Sequence, residues 1–308
     1  MTAALWALAS GAGFGLFQSL NRRAVLDIED PYVSTFLNLV IAAVILVGLA
    51  VATEDVSRVL DADGWALTAF AAAGIVHFLL GWTFLNLSQK RIGAARTSPL
   101  LTMSPVFGTV IAAIAVGQLP GLASFAAIVP MVFGAYLVAG GGRRIAAAGF
   151  AGAKRRRLGD RFADRPGADA LPGLACALMW AVSPVLTLRG LEGLDSPLLG
   201  VALGMVAAVA AYGGFLLARR ESRGPIAAEA LAFKLVAGVL VALATWWRWI
   251  AIDGADVAVV LALGLASVPV VLFVSPLLVG RHIERVTRRV WVGAGLVVGG
   301  ALALIAIG

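Results

Sequence analysis

Charged side chains are scarce in this sequence, and their scarcity argues against a water-soluble protein. Only 13% of the 308 residues are Asp, Glu, Lys or Arg, whereas 61% are hydrophobic. A soluble domain could not hide this much apolar surface, because it lacks the polar side chains to cover its exterior. The composition therefore predicts a helical membrane protein that crosses the bilayer several times.

Cysteine and histidine are also rare. A single thiol, Cys176, cannot form an internal disulfide, and the two histidines add no spacing typical of a metal site. We therefore expect neither a metal nor another cofactor. The net charge of +7 is compatible with nucleic-acid binding, but the cations lie between apolar runs rather than on one helix face. We interpret them as charges that set membrane topology, and we expect no nucleic-acid partner.

Ten apolar runs have roughly the 20 residues that a helix needs to cross the hydrocarbon core. The runs cover residues 2–20, 32–52, 64–88, 93–117, 121–140, 170–190, 197–217, 229–252, 255–280 and 290–307. The first run lacks the Lys or Arg that opens a secretory signal, so we interpret it as a first helix. A basic segment at 141–169 separates five runs from five. The predicted domains are thus 1–140 and 170–308, joined by this linker.

A weak internal repeat relates the two halves. A shift of 166 residues places Gly134 on Gly300, and other pairs of loop residues follow the same register. Pro105 and Pro269 miss this register by two positions, so they correspond only if the ninth helix slips locally. Because each half has an odd number of runs, the second half must enter the membrane in the opposite orientation. The predicted fold is an all-α polytopic membrane protein of ten transmembrane helices in two inverted five-helix repeats.

The ten-run plan, with short motifs at Gly117–Pro120, Gly134–Gly141 and Thr287–Leu304, resembles the EamA-like branch of the drug/metabolite transporter superfamily. The resemblance implies ten helices around a central cavity and a metabolite carrier. This sequence departs from the family at Gln118, where relatives often have Glu. The repeat equivalent of that position, Glu284, lies two residues later than the prolines predict. The resemblance therefore leaves the role of Glu284 open.

The distribution of Lys and Arg predicts an orientation. Twenty of these residues flank loops on one side of the membrane, whereas only Arg58 and Arg189 flank the other side. Positively charged short loops stay in the cytoplasm, so we predict a multi-pass protein of the cytoplasmic membrane with the linker inside and both termini outside. The resemblance implies the opposite orientation. Lys234, five residues into the eighth run, is expected to extend to the cytoplasmic headgroups.

The fourth run combines prolines with hydroxyl side chains, a pattern typical of broken helices that line a transport pathway. Thr102 and Ser104 are its candidate substrate-binding residues. Prolines inside apolar runs remove a backbone hydrogen bond and bend the helix. The prolines that we predict as helix hinges are Pro99, Pro105, Pro184 and Pro269.

His77 lies near the centre of the third run, where an imidazole lacks water unless it faces a cavity. One interpretation makes it a substrate-binding and proton-coupling residue, since histidine titrates near neutral pH. The other interpretation is a neutral histidine that packs by hydrogen bonding to a neighbouring helix. Trp82 and Asn86 follow on or near the same face and are further candidates for the binding site.

Arg248 lies among three tryptophans near the end of the eighth run. Arg248 and Trp246 could hold a carboxylate or a flat ring through charge and cation–π contact. Alternatively, the cluster is an aromatic belt in which Arg248 reaches the interface or pairs with Asp253 or Asp256.

The first and sixth runs carry corresponding stripes of larger side chains at helical spacing. Phe14 and Gln18 lie on the first stripe, and Trp180 and Thr187 lie on the second. The two stripes could line a cavity from both halves, or they could be helix-packing surfaces.

No run contains a clearly central Asp or Glu, which argues against an exporter of multidrug cations. The leading hypothesis is a secondary transporter, not an enzyme, that exports a small amino-acid-like or other polar metabolite across the cytoplasmic membrane by alternating access. Protons or an exchanged solute would drive it. The alternative is a carrier of a sugar, nucleoside or organic anion; more remote are a membrane-embedded enzyme and a scaffold. Its partners are the lipid bilayer and the small-molecule substrate, and it is a monomer or homodimer.

Overall fold

A computed structural model of the protein describes residues 2–28, 30–116, 122–139, 168–219, 225–255 and 257–307. All secondary structure in these ranges is helical. The α-helices, in chain order, are α1 (Ala3–Leu26), α2 (Pro31–Thr53), α3 (Arg58–Asp61), α4 (Gly64–Gly74), α5 (Trp82–Ile92), α6 (Ala94–Leu101), α7 (Ser104–Val116), α8 (Leu122–Ala139), α9 (Leu171–Leu191), α10 (Pro197–Arg219), α11 (Ala228–Gly254), α12 (Val257–Gly264), α13 (Ser267–Val279) and α14 (Arg288–Ile307).

Within the described residues, six helical stretches are long and apolar enough to cross a membrane, which confirms a multi-pass membrane protein. These stretches are Ala3–Leu26, Pro31–Thr53, Gly64–Ile92, Ala168–Leu191, Pro197–Arg219 and Ala228–Gly254. Shorter apolar helices cover Ala126–Val138 and Ser267–Val279. The predicted fourth and ninth spans are each divided into two helices. Gly117–Pro120, Asp256 and most of the basic linker lie outside the described residues.

The third predicted span is not a uniform α-helix. A π-helix at Ile75–Gly81 joins α4 to α5, and it contains His77. A π-helical turn adds a residue to the helical repeat and changes the direction in which the following side chains point. The sequence pattern gave no indication of this turn.

The fourth and ninth predicted spans are broken in the same way. Each consists of an eight-residue helix, two non-helical residues and a thirteen-residue helix. The second pair begins 163 residues after the first, from Ala94 to Val257 and from Ser104 to Ser267. The register at this helix thus differs from the general shift of 166, in the direction that Pro105 and Pro269 indicated.

The position of these two prolines explains why the break lies where it does. Pro105 is the second residue of α7 and Pro269 is the third residue of α13. In the first turn of a helix the missing proline N–H needs no acceptor, so the ring starts the second helix instead of distorting it. Pro99 and Pro184 differ, because they lie inside α6 and α9.

Close helix crossings hold the two halves of the chain together. At the crossing of α4 and α10, a Cβ atom on Gly74 would overlap the backbone of Gly204. Small residues at such crossings let helix backbones approach closely enough for extensive van der Waals contact. The main core also contains aromatic side chains from both halves; Phe70 stacks on Trp249 at a ring-centroid distance of 5.7 Å.

Two expectations about cations are wrong. Lys234 is fully buried and donates to Asn21 Oδ1 at 2.5 Å, so it does not extend to the headgroups. Arg22 was counted as a loop cation, but α1 continues past it to Leu26 and buries it. In both cases a buried polar partner offsets part of the cost of removing the side chain from water.

Candidate functional site

A cavity lies between the two broken helices, at the level where each is interrupted. The second broken helix contributes residues of α12, and residues of α1, α9 and α11 complete the walls. The lining residues are Ala7, Ser10, Gly11, Phe14, Gln18, Leu101, Thr102, Ser104, Pro105, Trp180, Arg248, Val260, Leu261, Gly264, Leu265 and Ser267. The space open to the centre of a water molecule is about 60 Å³. This space holds a few waters, at about 10–15 Å³ for each, so the conformation is nearly closed.

Six of the eleven residues predicted from the sequence to bind substrate line this cavity. They are Phe14, Gln18, Thr102, Ser104, Trp180 and Arg248. They come from four helical spans and from both halves of the chain, although no two of the spans are neighbours in sequence. The matched stripes of the first and sixth runs thus face one space at Phe14 and Trp180, whose rings lie 5.9 Å apart.

Three hydroxyl groups of the cavity donate their hydrogens to backbone carbonyls. Thr102 donates to the Pro99 carbonyl at 2.7 Å, and Ser104 donates to the Leu101 carbonyl at 2.8 Å. Ser10 donates to the Ala244 carbonyl at 2.7 Å. A hydroxyl has one hydrogen and two lone pairs, so each of these oxygens still has capacity as an acceptor. The helix break therefore gives the cavity a wall of acceptors.

Gln18 adds a further acceptor. Its side chain is 1% exposed, and no group of the described residues donates to its Oε1. A buried amide oxygen without a donor is unfavourable by about 1–3 kcal/mol. A bound molecule that donates a hydrogen bond would remove this cost.

Arg248 is the cationic group of the cavity. In the described part of the chain it forms no ion pair, and Asp253 is not its partner. Asp256, the other partner considered from the sequence, lies outside the described residues. A guanidinium that lines a cavity inside a membrane protein without a counter-ion is a binding group for an anion.

The tryptophans beside Arg248 do not form a belt around it. Trp246 packs against the main core, whereas Trp249 is buried and stacks on Phe70 at 5.7 Å. Trp247 instead contacts Trp6 at 6.2 Å. Successive residues of a helix point in different directions, which separates the three indoles. Trp246 therefore does not line the cavity, and its expected role beside Arg248 has no support in the geometry.

His77 lies behind the cavity wall and not in it. Its ring stacks on Trp180 at 5.2 Å with an interplanar angle of 9°, and Nδ1 lies 2.7 Å from Ser183 Oγ. The other nitrogen, Nε2, is buried without a partner among the described residues. His77 thus reaches the cavity through Trp180, and its hydrogen bond to α9 fits the packing interpretation as well as the functional one.

Trp82 and Thr187 also lie outside the cavity. Trp82 is fully buried and packs between Phe17 and Phe78, with ring centroids at 5.7 and 5.3 Å. Thr187 donates to the Ser183 carbonyl one turn earlier in α9. Neither side chain is among the residues that line the cavity.

Asn86 belongs to a buried polar network that the sequence analysis missed. It accepts from Asn21 at 3.1 Å and from Ser34 at 3.2 Å, and it donates to Thr35 at 3.0 Å. Asn38 and Gln89 extend the network through Asn21, as does Lys234. Asn86 was a candidate from the sequence, but the others were not. All of them lie near the ends of predicted spans, where polar side chains are common and carry no signal.

Next to this network lies an ion pair between the halves. Arg22 Nε donates to Glu284 Oε1 at 2.7 Å, and the exposed fractions of the two side chains are 6% and 3%. The same carboxylate accepts from the backbone N–H groups of Ala94 and Ala95 at 3.1 and 3.3 Å. Glu284 therefore caps the start of α6, where the helix dipole favours a negative charge.

Among the described residues, no group of three or more His, Cys, Asp or Glu side chains could hold a metal ion. The polar groups of the cavity are one cation and several neutral acceptors. Such an arrangement can hold an organic molecule by charge and hydrogen bonding.

Comparison with known proteins finds a family model that matches the first part of the chain. Residues 1–140 match the model of the EamA-like transporter family, so the resemblance seen in the sequence is confirmed over that part of the chain. One crystal structure superposes on this protein with a TM-score of 0.58 and 19% sequence identity, covering 96% of this chain and 99% of its own. At this identity the likeness shows the fold alone. No curated protein matches the chain.

Proposed function

We infer that this protein, whose residues 1–140 belong to the EamA-like transporter family, is a secondary transporter that exports a small zwitterionic, amino-acid-like metabolite. The family membership makes it a membrane transporter. The substrate, the direction and the mechanism are our proposal. The observation that carries the proposal is one cavity in which Arg248, which has no ion pair among the described residues, lies beside hydroxyl and amide oxygens that can accept hydrogen bonds.

The proposed architecture is ten membrane-crossing helices in two inverted five-helix repeats. It is supported by the pair of broken helices, α6–α7 and α12–α13, which have equal lengths and meet at one cavity. Inverted repeats of secondary transporters place discontinuous helices at the substrate site in this way. Rocking of one half against the other would then expose the cavity to each side in turn.

The charge pattern favours a zwitterion over the other candidate substrates. Arg248 requires a negative group, and a carboxylate binds a guanidinium through two parallel hydrogen bonds. The hydroxyls of Ser10, Thr102 and Ser104, together with Gln18, offer acceptors and so favour a group that donates. An ammonium donates three hydrogen bonds. An α-amino acid carries both groups.

A sugar and an organic anion satisfy the cavity less well. A sugar leaves the Arg248 charge without a counter-ion, and a simple carboxylic acid leaves the acceptors without a donor. An unpaired buried polar group is unfavourable, so the site discriminates against molecules that lack either group. The organic anion remains the second candidate, because the charge of Arg248 is uncompensated in the described residues.

The proposed location is the cytoplasmic membrane, with the basic loops inside and both termini outside. The support is the distribution of Lys and Arg between the two sets of loops. His77 remains the candidate for proton coupling, since it contacts the cavity wall through Trp180.

Competition measurements in proteoliposomes test the substrate class. A panel of labelled amino acids identifies a transported compound, and three unlabelled analogues then compete with it: its methyl ester, its decarboxylated amine and its deaminated hydroxy acid. We expect the intact amino acid to compete at least about tenfold better than each analogue, since each leaves one polar group unpaired. Equal competition by the hydroxy acid would replace the zwitterion with an organic anion, and no uptake of any panel member would reject the proposal.

A further inference from the structure

We propose that Arg22 and Glu284 form the latch of an inner gate, which closes the cavity at the end of the molecule where the basic loops meet. The proposal rests on the proposed function in one respect, because it takes the cavity as the transport pathway. The contacts that define the latch join the two halves of the chain, and the gate opens only when these halves separate.

In the latch, one carboxylate accepts from three groups. Glu284 lies in the segment between α13 and α14, and its two oxygens contact the Arg22 guanidinium and the first two N–H groups of α6. Arg22 also donates through a second nitrogen to the Gln89 carbonyl at 2.6 Å. One side chain from the second half thereby fixes the ends of α1, α5 and α6.

The latch lies directly beyond the floor of the cavity. Arg22 follows Gln18 by four residues on α1, so the two side chains lie on the same helix face about one turn apart. α6 connects the same two levels, because it begins at the Glu284 carboxylate and ends at Leu101, which lines the cavity. Movement of Glu284 away from α6 would therefore release both helices that form the floor.

A second layer of polar contacts closes the space beside the latch. Lys234 from the second half donates to Asn21, and Gln89 accepts from Asn21 at 2.7 Å. Gln89 also donates to the backbone carbonyl of Gln18 at 3.3 Å. The side chains of Asn21, Gln89 and Lys234 are fully buried. These contacts fill the interior at this level.

The chemistry of the latch suits a gate that must both close and open. Burying a guanidinium and a carboxylate removes both from water, and their attraction offsets this cost only in part. When the halves separate, water hydrates both groups and the cost is recovered. A large apolar contact at this position would instead lose its stabilisation on opening, because apolar surface would meet water. With an ion pair at this position, the closed and open states of the gate therefore differ less in free energy than they would with an apolar contact.

The backbone around the latch is adapted to it. Gly93 precedes α6 with φ of +83°, in the left-handed region that glycine adopts without strain. A Cβ atom at this position would lie 2.5 Å from Glu284 Oε1. Only a residue without a side chain lets the carboxylate reach the start of α6.

Thiol accessibility tests the latch without any substrate. Cys176 is fully buried, so a reporter thiol can be introduced against a low background. The reporter is Leu101→Cys in the cavity floor, and a membrane-impermeant maleimide is applied to the side that carries the basic loops. We expect Glu284→Gln to raise the labelling rate of this reporter about tenfold, because the amide keeps the size of the side chain but loses the charge.

The matched control is Asp27→Asn, which removes an acid from the exposed ion pair with Arg23, near the same end of α1. This control should leave the labelling rate unchanged, since an exposed pair contributes little. Arg22→Lys is the second variant. It retains the charge but cannot reach Glu284 and the Gln89 carbonyl together, so it should raise labelling about threefold.

Unchanged labelling in folded Glu284→Gln and Arg22→Lys proteins would overturn the latch, as would an equal rise in the Asp27→Asn control. Folding is checked by a single symmetric peak in size-exclusion chromatography, and if Glu284→Gln aggregates, Arg22→Lys decides alone. Because labelling needs no substrate, a transporter with an unchanged labelling rate would leave the proposed function intact and reject only the gate. A rise in labelling without amino-acid uptake would support the gate and reject only the substrate.

Discussion

Two buried arginines, one in the cavity and one beyond its floor, differ in the partners that they contact. Arg248 lines the cavity without a counter-ion in the described residues, whereas Arg22 is buried against a carboxylate and a backbone carbonyl. The Arg248 guanidinium can therefore bind a ligand, whereas the Arg22 guanidinium is already bonded to protein groups. The difference teaches that a buried cation indicates a binding site only when its partners are missing.

The acceptors differ in the same manner. Asn21 and Gln89 accept hydrogen bonds within their network, whereas Gln18 Oε1 in the cavity has no described donor. Most polar atoms of the network are bonded to one another, with Asn38 Oδ1 as an exception among the described residues. Such a network favours a rigid structure, whereas unpaired acceptors that line a cavity can be completed by a ligand.

The largest expected effect is on stability at the closed end. Arg22→Gln leaves Glu284 buried without its cation, and the free energy of unfolding should fall by about 3–5 kcal/mol. Unfolding of the purified protein in mixed micelles measures this change. The matched variant Arg248→Gln has no ion pair to lose and should change stability by less than about 1 kcal/mol. Equal losses in the two variants would abolish the distinction between the two arginines.

The next largest effect is on transport. Here the substitution of Arg248 should matter more than that of Arg22. Arg248→Gln should lower the transport efficiency for the amino-acid substrate about 100-fold, because the substrate carboxylate loses a charged partner. Arg248→Lys keeps the charge without the planar fork and should retain part of the flux. Initial uptake rates in proteoliposomes at matched protein content provide the measurement. Full activity of Arg248→Gln would show that the substrate binds elsewhere.

A smaller effect is expected at His77. If His77 couples protons, His77→Gln should lower uptake driven by a pH gradient about tenfold, whereas exchange between labelled and unlabelled substrate should be retained. The glutamine can still bond to Ser183, so the fold should persist. Gradient-driven uptake and exchange are compared in the same vesicles. A parallel loss of both, or of neither, would favour the packing interpretation of this histidine.

The smallest effect is expected at Lys234. Lys234→Met keeps an unbranched chain in the same buried position, and Asn21 Oδ1 still accepts from Asn38 at 2.9 Å. The loss of one hydrogen bond is then offset by the lower cost of burying an apolar side chain, so the free energy of unfolding should change by less than about 1 kcal/mol. A loss as large as that of Arg22→Gln would show that Lys234 is essential to the closed end.

The sequence predicted the broken helices better than it predicted the polar network. Pro99 and Pro105 among hydroxyl residues are a local signal, because proline affects the hydrogen bonds of its own helix. The break at Leu101–Ser104 and the placement of Thr102 at the cavity follow from it. The pairing of Arg22 with Glu284 spans 262 residues, and no local pattern reports such a contact.

The π-helix around His77 shows the same limit. The sequence placed a histidine at the centre of an apolar run, and it indicated two possible roles. The π-helical turn and the stacking on Trp180 depend on how α9 packs against this stretch. Helix packing in a membrane depends on shape and on van der Waals contact between whole surfaces, which a single sequence does not display.

Residue patterns in the sequence were enough to predict a helical, multi-pass membrane protein, to place a break in the fourth predicted span, and to find the resemblance of residues 1–140 to the EamA-like transporter family. Hydrophobicity, proline and short motifs act locally, so they can be read from neighbouring residues. The tertiary structure was needed to show that Arg248 has no ion pair among the described residues, whereas Arg22 is bonded to Glu284. The reason is that an arginine on either helix has the same chemistry, and its role is set by whether a distant carboxylate such as Glu284 reaches it.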